Sequence, residues 1–146
     1  MNSGQIKQKV KALQKKYGTN DPFEIARGMG ILVCTENLGS LNGYYCQKFR
    51  IKQIHINENL PEIVQRYACA HELGHATMHP NSNTPFLTQN TYLSVNKLEI
   101  EANKFAMELL IPDTLLCEYV NYYKYTAEQI GRILGYHKEL IELRLK

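Results

Sequence analysis

The segment His71-Glu72-Leu73-Gly74-His75 sits inside a stretch with helical apolar spacing, and that placement constrains the chain more than any other feature. On an α-helix, residues four apart stand one turn above each other, so both imidazoles leave the same face and can share one cation with Glu72 beside them. Steps of three and four residues give Val64, Ala68, His71, His75 and Met78. This stripe begins apolar, so the histidines are expected to face the core. Buried histidines need partners. Backbone carbonyls would satisfy a pair of structural core histidines, but the glutamate between these two favours a metal. The helix is predicted to open at Pro61-Glu62 and run to about Met78.

A catalytic zinc ion takes three protein ligands and keeps one position open, so a third ligand must come from elsewhere. The next helical segment, about Lys97 to Leu110, offers Glu99 and Glu101. Glu99 lines up with Asn103, Ala106 and Leu110, an inward-tending stripe, whereas Glu101 lines up with Lys104 and Glu108 and reads as solvated. Glu99 is therefore the favoured ligand, with Glu101 the alternative. Asn103, one turn on, is placed to hold a ligand histidine through its free ring nitrogen. His79, a further turn beyond His75, either supports the site or satisfies the helix C-terminus. His55 is expected on the polar face of a strand and His137 in a turn. One Zn2+ ion held by His71, His75 and Glu99 would acidify water, and Glu72, not itself a ligand, would act as general base in peptide-bond hydrolysis. No residue is assigned as oxyanion stabiliser, and a strand such as Gln53 to Asn57 is a candidate for pairing with an extended peptide.

The rest of the pattern predicts an α+β fold with a small, mostly antiparallel sheet packed on the active-site helix and further helices at both ends. Ile6, Val10 and Leu13 mark a first helix ending near Tyr17-Gly18. Asp21-Pro22 caps a second, stopped by Gly28 and Gly30. Short β-type runs follow at Ile31 to Cys34, from Gly43 onward and over Ile51 to Ile56. The polar stretch Pro80 to Asn96 reads as a connection, and Ile111-Pro112 closes the helix that carries Glu99. Two short helices are predicted to finish the chain, the first opened by Thr126 and Gln129 as a capping box.

At 146 residues and 44% hydrophobic content, the chain can bury one core, so residues 1–146 are read as a single domain. No apolar run approaches the roughly 20 residues of a membrane span, and the start lacks a secretion signal, which places the protein in the cytoplasm. Cys34, Cys46, Cys69 and Cys117 form no C-x-x-C pair and are read as buried, reduced thiols. The net charge of +3 owes much to Lys7, Lys9, Lys11, Lys15 and Lys16, which reads as a solvated helix face. Direct nucleic-acid binding is not expected.

The run Tyr67 to His75, then His79, then Glu99 through Asn103 to Pro112 resembles the ImmA/IrrE family of metallopeptidases, as do Asp21 to Ala26, Gly43 to Tyr45 and Ile54 to Asn57. The branch carried by mobile elements looks closest. The resemblance implies a zincin-like, gluzincin-type fold, since Glu99 followed by Asn103 is similar to that group's glutamate ligand and supporting Asp or Asn. It also implies a substrate: a helix-turn-helix repressor of a prophage or conjugative element, cut at one site. Some relatives carry an added DNA-binding or sensor domain, for which 146 residues leave no room.

Two other readings compete. The basic first helix and the pair Thr126 to Leu134 and Lys138 to Leu145 vaguely suit helix-turn-helix spacing. The second of these offers only Lys138 and Arg144 along its length, poor equipment for reading bases. An intact motif is also compatible with a zinc-bearing protein that binds a partner without cutting it.

Overall fold

The structure is a computed structural model describing residues 1–146. Helix α1 (Ser3–Tyr17) starts at a capping box between Asn2 and Gln5, and α2 (Pro22–Gly28) starts where the Asp21 carboxylate accepts from the Phe23 N–H at 2.9 Å. Both meet the core through short apolar stripes, Ile6 and Val10 on α1, Ile25 and Ala26 on α2. Strands β1 (Leu32–Glu36), β2 (Gly43–Lys48) and β3 (Ile51–Asn57) form one sheet in the order β1-β3-β2.

The pairing corrects the expectation of a mostly antiparallel sheet. β2 and β3 are antiparallel, joined by the two-residue turn Phe49-Arg50, but β1 and β3 are parallel. Alternating hydrophobicity identifies a strand without stating its direction relative to its neighbour, so the sequence carried no signal for this. The order also corrects the peptide-pairing idea. Both flanks of Gln53 to Asn57 are occupied, and the outer edges belong to β1 and to β2, on the latter of which Gly43 already bridges to Leu87.

Helix α3 (Glu62–Met78) and helix α4 (Lys97–Leu110) lie where predicted. α3 packs between the inner sheet face, which presents Tyr45, Ile54 and Ile56, and α4. Between the two helices the chain makes one 3₁₀ turn, Thr91–Leu93. α4 packs in turn on α1 and on the last helix. The sequence reading missed one element. After Pro112 the chain enters α5 (Asp113–Cys117), which runs into a π-type turn, Glu118–Tyr122, before α6 (Ala127–Leu134) and α7 (Lys138–Leu145). Pro112 both stops α4 and stands at the cap of α5, and only the first role was read.

Two surface expectations also change. Cys69 alone is buried, Cys34 and Cys46 are half-buried and Cys117 is exposed, all four free thiols. Lys7 leaves the solvated face and bonds Asp113 at 2.6 Å. Asp113 also accepts from Arg144 at 2.7 Å, and Arg144 donates to the Ile111 carbonyl at 2.9 Å, tying α7 to the end of α4. No helix is long and apolar enough to cross a membrane.

The α3–α4 contact turns on Gly74. A Cβ there would meet Cβ, Cγ and Cδ1 of Phe105 at 3.1–3.2 Å, and Phe105 is fully buried with nowhere to go. Overpacking costs about 1–3 kcal/mol, and better helix propensity returns about 0.5–1. Gly74→Ala is therefore expected to lower unfolding free energy by about 1 kcal/mol in denaturant titration. Acid should weaken the α1–α5–α7 tie. Lys7 and then Arg144 hold the Asp113 carboxyl down to about 2. A depressed folded value gives a stabilisation fully present above the unfolded carboxylate value of about 3.9 and lost as pH falls toward 2. Stability measured against pH should fall less steeply over that window in Asp113→Asn than in the native chain.

Candidate metal centre

α3 and α4 bring three ligand-type atoms to one point. His71 Nε2 lies 2.5 Å from Glu99 Oε2, and His75 Nε2 lies 3.3 Å from the same oxygen. His71 and His75 are fully buried and Glu99 is 2% exposed. One ligand atom from each of the three lies within 4.8 Å of the others, the spread a single cation bridges. Asn96 starts α4 by accepting from the N–H groups of Leu98 and Glu99, which places Glu99 in the first turn, against α3.

The outer hydrogen bonds decide where each imidazole keeps its proton. His71 Nδ1 lies 2.8 Å from Asn103 Oδ1. An amide oxygen only accepts, so Nδ1–H must donate, which leaves the Nε2 lone pair facing Glu99. The Asn103 amide is itself fixed, because its NH2 donates to the Thr91 carbonyl at 3.3 Å and its oxygen also accepts from the Tyr67 hydroxyl at 2.5 Å. His75 is set by a longer chain. Glu101 Oε1 accepts from His79 Nε2–H at 2.9 Å, and in the neutral His79 ring Nδ1 then carries a lone pair and accepts from His75 Nδ1–H at 3.1 Å. The remaining Glu101 oxygen bonds the Met1 amino group. Two imidazole lone pairs thus converge on one carboxylate, an arrangement that needs a cation between them.

Charge and burial point the same way. Glu72 is fully buried, its two oxygens have no hydrogen-bond partner, and burial pushes its carboxyl up to about 8 against the pull of His71. Burial also opposes ionisation of Glu99, but the presence of His71 and His75 beside it outweighs burial and takes the group down to about 2, so the carboxylate is charged. Glu99 Oε1 is a third buried oxygen without a partner. A donor set of two imidazoles and a carboxylate, with acceptor atoms left over, fits a divalent metal and the water it carries.

The residues predicted from sequence are therefore together: His71, Glu72, His75, Glu99, Asn103 and His79. Glu101 is corrected. It is 6% exposed rather than solvated, and it faces His79 rather than the point where the other groups meet. The helix-face argument placed it wrongly because α1 covers that side of α4. Sequence reasoning missed Tyr67, although it stands one turn before His71 on the same face. It also missed Thr91, which acts through its backbone and leaves no trace in residue type. His55 lies on the outer sheet face, stacked on Tyr44 at 4.4 Å, and His137 stacks on Tyr92 at 3.7 Å; both are apart from the centre.

Comparison with known proteins agrees with this geometry. The model of the IrrE N-terminal-like domain, a peptidase family, matches residues 26–146. Uncharacterized immunity region protein 2 of Bacillus phage phi105 is 43% identical over 140 residues, covering 95% of this chain and 88% of that protein. Metallopeptidase ImmA of Bacillus subtilis (strain 168) is 38% identical over 129 residues, covering 86% of this chain and 75% of its own length. With its paired histidines and glutamates assembled between α3 and α4, the chain belongs to the ImmA/IrrE family of metallopeptidases.

Proposed function

We propose that this chain is a zinc-dependent endopeptidase of zincin-like build that cuts a protein substrate at a defined site. The observation that carries the reading is the convergence of His71 Nε2, His75 Nε2 and Glu99 Oε2 beside the partnerless carboxylate of Glu72. His71, His75 and Glu99 hold the metal. Bound there, zinc supplies Lewis acidity toward the scissile carbonyl and lowers the pKa of water. Glu72, whose carboxyl burial raises to about 8, accepts in its ionised form the proton from the attacking water and returns it to the leaving amine. Asn103 and the Glu101–His79 pair are positioning residues that keep the two imidazoles in the tautomer a metal requires. The substrate we assign is a helix-turn-helix repressor of a mobile element, and the product is a repressor unable to hold its operator. The similarity to a phage immunity-region protein supports that context.

The test is incubation with the repressor encoded beside the gene, with and without chelator, followed by mass analysis of the products. One chelator-sensitive cut is expected, and no cut under any condition would favour a protein that only binds its partner. Glu72→Gln should keep its metal and lose turnover by about 10²–10⁴-fold, the usual worth of a general base. Undiminished cleavage would remove Glu72 from the mechanism. Glu99→Gln should lose bound zinc, whereas Glu101→Gln should keep it with affinity reduced by about 10–100-fold. Full metal retention by Glu99→Gln would transfer the ligand role elsewhere.

A further inference from the structure

A cavity of about 250 Å³, linked to the centre through Tyr67, is walled by Ile63, Val64 and Tyr67 of α3, Tyr92 of the 3₁₀ turn, and Tyr136 and Leu140 at the α6–α7 corner. Its volume is below the roughly 300–1,000 Å³ typical of sites for drug-sized ligands, so it suits one side chain rather than a cofactor. No Asp, Glu, Lys or Arg lines it. Tyr67 joins it to the centre: the ring forms the wall, while the hydroxyl bonds the same Asn103 oxygen that receives His71 Nδ1–H. The two rings are 5.9 Å apart.

Asn42 lines the same cavity and is 8% exposed. Its backbone is spoken for, the N–H donating to Leu87 and the carbonyl accepting from Asn57. Its side-chain amide bonds no protein group and is not sealed in the core, so it is free to bond a ligand at the cavity. A peptide main chain offers the donor and acceptor it lacks. The far wall is held close by Gly135, whose φ is +86° and where a Cβ would sit 2.9 Å from Ile63 Cδ1.

We propose that this cavity is the specificity pocket, that it takes an uncharged, apolar side chain adjoining the scissile bond, and that the Asn42 amide holds the substrate main chain at its mouth. The inference rests on the peptidase reading above. Recognition then depends on the α6–α7 corner as much as on the motif helix.

The experiment uses the full-length zinc-loaded protein and a mixture of peptides of diverse sequence, with cut sites read by mass spectrometry against a chelator control. Wild-type cuts should fall beside Leu, Ile, Met or Phe. Val64→Phe, which fills the cavity, should reduce kcat/KM for Phe over Ala peptides by about tenfold or more at unchanged zinc content, and Val64→Ala should move the preference toward larger residues. Asn42→Ala should raise KM for all peptides without changing the preference. Thermal melts and zinc content identify a misfolded variant, in which case the Val64→Ala arm decides. Chelator-sensitive cleavage with the same preference in wild type and the Val64 variants overturns the pocket and leaves the peptidase reading standing. No chelator-sensitive cleavage by the wild type overturns both.

Discussion

Two helices supply every group of the candidate metal centre, and their separation is fixed by Gly74 against Phe105. His71, Glu72 and His75 come from α3, and Glu99 and Asn103 from α4. A hydrogen bond or coordination bond tolerates only a few tenths of an ångström, so the helices must be held at one distance and one rotation. The glycine inside the His-Glu-Leu-Gly-His segment provides the distance. The Ile6, Val10 and Arg144 contacts from α1 and α7, which press on the other side of α4, prevent it from backing away. The motif is thus a packing device as well as a set of ligands.

The parts of this architecture that were legible in the sequence are those governed by helical periodicity. α3 and α4 and the choice of Glu99 over Glu101 as the group facing the histidines all follow from steps of three and four residues. The same logic failed for the surroundings of Glu101, because a helix has more than one neighbour and periodicity names the buried side only when one side is buried. α4 is covered by α3, α1 and α7 at once, so Glu101 is enclosed on what looked like its wet face. The parallel pairing of β1 with β3 was illegible for a different reason: strand direction is decided by connections between elements. Thr91 contributes a carbonyl that any residue type carries.

The centre also concentrates electrostatic cost. Three buried oxygens without partners, two on Glu72 and one on Glu99, lie within a core that otherwise satisfies its polar side chains. Buried polar groups left unpaired cost free energy, and that expense is tolerated where it creates chemistry. The surrounding bonds limit the damage. Asn103 restrains His71, Glu101 and His79 restrain His75, and Thr91 restrains Asn103, so the unpaired atoms stand in a rigid frame.

That His71, Glu72 and His75 have no solvent exposure has a kinetic consequence. In this closed form neither a scissile peptide bond nor a cation reaches these groups without some opening of the chain. The cation's arrival and departure must wait for a local opening of the chain, and such openings are rarer the more contacts they break. Exchange of metal would then be timed by the protein's own breathing rather than by the strength of the ligands. An ion held in this way can be slow to leave even where its equilibrium affinity is ordinary, and slow to enter even where ions are plentiful.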